Sequence, residues 1–324
     1  MLTDFNPTTA IALDAPVQRM ADVSGTAQLA ALWLHGKSPQ SQKSYERDVR
    51  EFVSFLSAQP IKGVRLNDVD LRTVTLNDVQ AFQDYLEERK PEARPNAKIA
   101  PTGNLSPAAV KRKLASVKSL LRFGCEIGYL RFNAAVPVKL PKPKNTVAER
   151  YLTELEVMTM IALTKNKRDR LVLRLLYLTG ARVGEIANLR WCDIQSNRDG
   201  RGQVTLFGKG EKTRFVVIKP DLYAELNKYR ENAGDNDAVF PSRKGGLPLS
   251  ARHINQIVKD CAKLAGIEKD ISPHWLRHAH ATHALDRGTP PQLVQATLGH
   301  ESLSTTGKYA HARPNQSSGL DLPG

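Results

Sequence analysis

Cysteine is scarce in this chain and scattered. Cys125, Cys192 and Cys261 are the only three in 324 residues, and no CxxC pair exists, so neither a zinc ribbon nor a disulfide framework is expected. Long apolar runs are missing as well. No stretch approaches the ~18 residues that a membrane-crossing helix needs. The opening MLTDFNPTTAIALDAP has neither the basic start nor the apolar run of a signal peptide. A reducing cytoplasm is the expected setting, with no membrane partner. Acidic residues are in deficit: 33 Asp and Glu stand against 47 Lys and Arg, a net charge of +14. That excess suggests a polyanionic partner, nucleic acid first, although basic charge also serves plain solubility. Hydrophobic residues make up 41% of the chain, enough for a sizeable core, and the length fits two ordinary domains.

The patterning divides the chain. Residues 1–25 lack strong periodicity and read as a loose arm. Tyr45, Val49, Phe52, Val53 and Leu56 recur at helical spacing. Thr75 with Asp78 makes a capping-box-like start for a second helix, whose apolar face is Val79, Phe82 and Leu86. Residues 87–103 read as a loop. Ser106 and Pro107 then open a helix with a buried stripe of Val110, Leu114, Val117 and Leu121. Lys111, Arg112, Lys118 and Arg122 lie largely off that stripe. They suit either a solvated face or a phosphate-contacting one. PVKLPKPKNT carries three prolines and three lysines and no acid, a linker composition. The boundaries follow: a helical domain over 26–136, a linker over 137–148, and a second domain over 149–324.

In the second domain, RLVLRLLYLTG reads as a buried helix ending at Gly180. GQVTLF and RFVVI flank the polar turn GKGEKT as a β-hairpin. The rest, from about residue 250, reads helical. The expected fold is mainly α with a small antiparallel β-sheet in the second domain.

Four of the eight histidines fall in SPHWLRHAHATH, residues 272–283. At ~100° per residue, His274, Arg277 and His278 share one helix face, while His280 and His283 point roughly opposite. Zinc needs three or four converging ligands, and Arg277 would set a cation beside the metal. No metal is therefore expected. The face suits an anion: His274 sits in the first turn, where the helix end is positive, and Arg277 offers a planar fork. Ordinary packing with surface polar groups is the plain alternative. Arg182 starts the helix after Gly180, and Glu185, three residues on, can pair with it or orient it. Lys209 sits in the hairpin turn with Lys212 and Arg214 close by as rivals for an anion-facing role. His300 follows Gly299, and Tyr309 lies on a short helix that Ser304 can cap.

Taken together, these residues resemble the tyrosine recombinase (phage integrase, Xer-like) family. The likeness lies in order and spacing: Arg182 in TGxRxGE, Lys209 in a GKGxKxR hairpin, His274 and Arg277 in HxLRH, His300 in LGH, and Tyr309 in STTxxYxH. It spans nearly the whole second domain, and the first domain and basic linker look like the family's core-binding domain and connector. The resemblance implies a DNA strand-exchange enzyme without metal or other cofactor, acting in integration, excision or resolution. Tyr309 would be the nucleophile, Arg182 and Arg277 the phosphate clamps, His274 and His300 donors to the same phosphate, and Lys209 the general acid, with Glu185 in support. Lys111, Arg112, Lys118, Arg122, Lys212 and Arg214 would contact DNA. The implied partners are duplex recombination sites, a homotetramer or related heterotetramer on two of them, and accessory or directionality proteins. The rival readings are a type IB topoisomerase, a non-catalytic DNA-binding protein and a metal-dependent nuclease.

Overall fold

Helix starts are set by short polar side chains. In the computed structural model, which describes residues 23–90, 103–142, 151–208, 212–242 and 245–300, Ser38, Thr75, Ser106, Thr153, Asn166 and Ser250 each accept a backbone N–H of the first turn that follows. Each bond satisfies one of the donors that a helix end leaves without an intrahelical partner. The chain divides into two units, Met1–Lys144 and Asn145–Gly324.

The described part of the first unit is helical: α1 (Thr26–Leu34), α2 (Pro39–Ser57), α3 (Leu76–Glu88) and α4 (Pro107–Glu126). The apolar stripes expected on α2, α3 and α4 meet in one core, where Val49, Phe52, Val79, Phe82, Leu114 and Val117 are buried. The rings of Phe52 and Phe82 lie 4.9 Å apart. Beside this core, α2 and α4 share a buried ionic cluster. Asp48 and Glu51 of α2 are buried, as is Lys113 of α4. Lys113 pairs with Glu51 and lies 3.7 Å from Asp48 Oδ1. Asp48 also accepts from Ser116 Oγ at 2.9 Å and from Arg112, and Arg89 pairs with Glu51. Carboxylates taken out of water cost several kcal/mol each unless paired.

The second unit contains α5 (Glu154–Leu163), α6 (Lys167–Thr179), α7 (Val183–Ala187), β1 (Ile194–Ser196), β2 (Gly202–Phe207), β3 (Thr213–Ile218), α8 (Pro220–Arg230), α9 (Ala251–Leu264), α10 (Pro273–Asp286) and α11 (Pro291–Leu298). The strands form one antiparallel sheet in the order β1-β2-β3, with Val204 opposite Val216 and Leu206 opposite Arg214. The expected hairpin is present. The third strand, β1, was not legible in the sequence because three residues are too short to show alternation. Strand β3 alternates strictly: Arg214, Val216 and Ile218 face the core, while Phe215 and Val217 are exposed. Helix α6 is the centre of the unit, with Leu171, Val172, Leu173, Leu175 and Leu176 all fully buried, and it packs extensively on α10. The fold is mainly α with a small antiparallel sheet.

The ionic cluster yields a stability test. In Lys113→Met, Asp48 and Glu51 keep their burial but lose the cation between them. We expect the first unit to lose about 3 kcal/mol of stability, read as a lower urea midpoint of its unfolding transition. An unchanged midpoint would show that Arg112 and Arg89 suffice.

Candidate active site

The turn from α6 to α7 places Arg182. Gly180 ends α6 with φ +59°, a left-handed conformation, and a Cβ there would come within 2.5 Å of Leu298 Cδ2 and 3.0 Å of His280 Cδ2. Only glycine permits both the turn and the close approach of α10 and α11. Arg182 follows as the residue that caps α7. Its backbone N–H donates to Glu185 Oε2 at 2.7 Å, and its Nη1 donates to Glu185 Oε1 at 2.9 Å. The Arg182 side chain remains 43% exposed, whereas Glu185 is buried.

Arg182, His274 and Arg277 line one cleft of about 240 Å³, together with Asn255 and Ser272. Three residues singled out in the sequence thus come together from α7 and α10. Asn255, from α9, was not anticipated. Ser272 precedes α10 and makes no side-chain cap bond to its first turn. Lys209 and Tyr309 lie outside the described residues.

His300 is brought in by the end of α11, whose last four carbonyls are all accounted for. His300 N–H donates to Gln295 O at 3.2 Å and Gly299 N–H to Ala296 O at 3.1 Å, the Schellman pattern that a left-handed Gly299 permits. Arg214 Nε donates to Thr297 O at 2.8 Å, and Arg277 Nη2 donates to Leu298 O at 2.7 Å. Arg277 Nη1 reaches Gly180 O at 2.6 Å, so one guanidinium ties the ends of α6 and α11. Two cations at a helix C-terminus also match its negative dipole end.

The other histidines of α10 sort by face. His274 is exposed and His278 buried, with ring centroids 4.2 Å apart. His280 Nδ1 donates to Tyr177 O at 2.8 Å. His283 Nε2 donates to Leu152 O at 2.9 Å, because a carbonyl only accepts. Its Nδ1 then accepts from the Tyr177 hydroxyl, also at 2.9 Å.

These positions set the charges. Burial pushes the imidazolium forms of His280 and His283 down. His300 is pushed down to about 4, by burial first and then by the fields of Arg277, Arg182, Arg214 and His274. Burial alone would raise the Glu185 carboxyl, but hydrogen bonds from Arg214 and from the Arg182 backbone outweigh it and hold it below the usual range. Burial, then the charge of Glu154, raises the Tyr177 hydroxyl to about 12.

Two of the residues expected at DNA have partners within the protein. Arg214 is buried, and its Nη1 and Nη2 form a fork on Glu185 at 2.8 and 2.7 Å. The signal was present in the sequence, since Arg214 is in phase with Val216 and Ile218 on a period-two strand. Lys118 Nζ donates to the carbonyls of Ala135 at 2.5 Å and Val138 at 2.6 Å, and burial lowers its pKa. It holds the segment after α4. Arg112 is half-exposed, anchored on Asp48 and on Ser44 at 3.0 Å. Lys111, Arg122 and Lys212 are exposed, with Arg122 paired to Glu126 at 2.8 Å.

Known proteins resemble this chain in sequence and in fold. The profile of the Phage integrase family matches residues 150–316. Tyrosine recombinase XerD of Listeria monocytogenes serotype 4b (strain F2365) is 30% identical over 292 residues, which is 85% of this chain and 89% of that protein. Tyrosine recombinase XerC of Staphylococcus aureus (strain JH9) is 29% identical over 288 residues, 86% of this chain and 88% of that one. Among solved structures, a lambda integrase(75-356) dimer bound to a COC' core site aligns with TM-score 0.65 at 18% identity, over 90% of this chain and 95% of that chain. The XerH site-specific recombinase bound to difH substrate, in a pre-cleavage complex, also aligns at 0.65, with 21% identity, over 89% of this chain and 82% of that chain. The chain belongs to the phage integrase family and is a tyrosine recombinase of the Xer type.

Proposed function

We propose that this recombinase cuts and rejoins duplex DNA at specific sites through a 3′-phosphotyrosine intermediate, without metal or ATP. The observation that carries the reading is the cleft in which Arg182, His274 and Arg277 converge, with the turn bearing His300 fixed by Arg277. The cleft is the seat of the scissile phosphate.

A tyrosine of pKa ~10 is ionised to roughly one part in a thousand at pH 7, a deficit of about 4 kcal/mol. The phosphodiester's own charge repels the nucleophile as well. Arg182 and Arg277 offset both by binding the non-bridging oxygens and the charge that grows on them. In the first step Tyr309 Oη attacks phosphorus, the bond to the 5′-oxygen breaks, and that oxygen takes a proton from Lys209. The tyrosine proton leaves through a histidine of the cleft. In the second step the 5′-hydroxyl of a partner strand attacks, the bond from phosphorus to Tyr309 breaks, and the phenol is restored. One ester is exchanged for another throughout, so no external energy is required. His274 and His300 serve as hydrogen-bond donors. A neutral His300 leaves the positive charge of the site to the arginines.

In this reading the second unit is the catalytic domain and the first is the core-binding domain, with Lys111, Arg112 and Arg122 of α4 toward DNA. Four copies act on two sites, in integration, excision or resolution, in the cytoplasm. Among the described residues no helix is long and apolar enough to cross a membrane.

Two measurements check this. Incubated in EDTA with DNA flanking its own coding region, then denatured and digested, the protein is expected to carry a nucleotide on Tyr309, and Tyr309→Phe none. Cleavage that disappears in EDTA would sink the reading. The second is an NMR titration with His300→Gln as the assignment control. In the free protein the His300 ring should keep its neutral signals from pH 7 to about pH 5 and titrate near 4. Because this folded value lies below the unfolded one of 6.5, the stability tied to it is complete above 6.5 and is lost as pH falls toward 4. Bound DNA should raise the midpoint, since a phosphate between the arginines cancels their field. A midpoint near 6.5 without DNA would place His300 away from the guanidinium groups.

A further inference from the structure

We propose that Arg214 is a positioning residue for strand cleavage: it keeps the Arg182 clamp cationic by sharing Glu185, and it holds the turn that carries His300. The inference rests on the cleavage reading above.

The pairing of Glu185 with Arg182 poses a problem of charge. Glu185 binds Arg182 twice, through the backbone N–H at 2.7 Å and through Nη1 at 2.9 Å. Standing alone, that pair is neutral, and a neutral pair is a poor clamp for a phosphate. Arg214 resolves the problem. Its fork donates to both oxygens of the same carboxylate, at 2.8 and 2.7 Å. The three side chains together carry one net positive charge, and only Arg182 among them is substantially exposed. The carboxylate's negative charge is therefore matched by the buried guanidinium, and the cationic surplus resides on the one that lines the cleft.

The second part is mechanical. Arg214 Nε donates to Thr297 O at 2.8 Å, and a Cβ on Gly299 would lie 3.2 Å from Arg214 Cδ. The residue before His300 thus rests on the Arg214 stem. The strand geometry makes both contacts possible. Arg214 sits opposite Leu206 on the core side of the hairpin, so its side chain runs inward to α7 and α11. On the same hairpin, a Cβ at Gly208 would meet Arg182 Nη1 at 3.6 Å and Glu185 Oε1 at 3.7 Å, so the base of the turn carrying Lys209 abuts the pair. A single side chain joins the elements that bear Arg182 and His300.

The test compares wild type, Arg214→Met, Arg214→Lys, Glu185→Gln and the double variant Arg214→Met with Glu185→Gln. The probe is a duplex that the wild-type protein selects from a randomised pool by detergent-resistant capture. The readouts are the single-turnover rate constant of covalent adduct formation at saturating DNA, the fraction of protein that reacts, the DNA affinity and the melting temperature. Methionine fills the space of the arginine stem but leaves Glu185 to neutralise Arg182. We expect the rate constant to fall roughly a hundredfold, with little change in affinity. Removing the Glu185 charge as well should recover part of the lost rate, because Arg182 regains its surplus. A role in packing alone predicts the opposite, since the double variant then lacks two buried partners and is no faster. Arg214→Lys, which retains the cation, should fall between wild type and Arg214→Met; it replaces Arg214→Met in the comparison if that variant does not fold.

The proposal is overturned by a normal rate constant in a reduced reactive fraction, by a loss confined to DNA affinity with a shallower salt dependence, or by a double variant no faster than the single. If the wild-type protein captures no duplex through Tyr309, the cleavage reading falls first and this inference with it.

Discussion

Unit 2 is organised around the C-terminal end of one short helix. An α-helix leaves four carbonyls without intrahelical partners. In α11 two of them are closed by the backbone of Gly299 and His300, and the other two by Arg214 and Arg277. Leaving such a carbonyl buried and unmet costs roughly 1–3 kcal/mol, so the two arginines are held in place by the backbone itself. Because one comes from β3 and the other from α10, the end of α11 forms only when the sheet and the helical layer are both docked. The candidate site is in this sense a product of the whole unit's fold.

The same constraint divides the arginines by task. Guanidinium groups have five donors in a rigid fork and remain charged when buried. Arg277 spends two nitrogens on Gly180 O and Leu298 O, which fixes the plane of its guanidinium against the cleft. Arg214 spends all three nitrogens on Thr297 and Glu185. Arg182 is the one left half-exposed. Lysine would substitute poorly for either buried group, since one ammonium lacks the spaced nitrogens with which each guanidinium reaches acceptors on two elements. The basic excess seen in the composition is thus divided between cations presented outward and cations that hold the architecture.

How much of this was legible depended on the range of the interaction. Ser106 with Pro107, and Thr75 with Asp78, announced their helices because caps act within four residues. The stripe of Val110, Leu114, Val117 and Leu121 announced a buried face because helical periodicity is local. Arg182, His274, Arg277 and His300 could be picked out as a set, and the structure brings them to one region of unit 2. The internal contacts of Lys118 and Arg214 were not legible because their partners lie at least 17 residues away, and charge suggests solvent unless phase is considered. Arg214 was in phase with buried Val216 and Ile218, which is a readable signal. For Lys118, lying off the apolar stripe was no guide, because the segment from Ala135 to Val138 covers that side of α4. Asn255 gave no signal at all: its place in the cleft depends on how α9 packs beside α7 and α10.

The histidine-rich helix shows why imidazole suits this setting. The region around α10 contains Arg182, Arg214 and Arg277, and their summed field makes a further positive charge costly. A lysine at His280 or His283 would carry that charge into the interior. Neutral imidazole supplies one donor and one acceptor without it, and both rings donate to a fixed backbone carbonyl. His300 is held neutral by burial first and then by the same field. Desolvation and the arginines act on it in one direction, whereas an incoming phosphate would act in the other. The site therefore separates two properties that a metal ion combines. On the proposed reading, guanidinium groups provide permanent charge and histidines provide hydrogen bonds whose protonation responds to whether a phosphate is present.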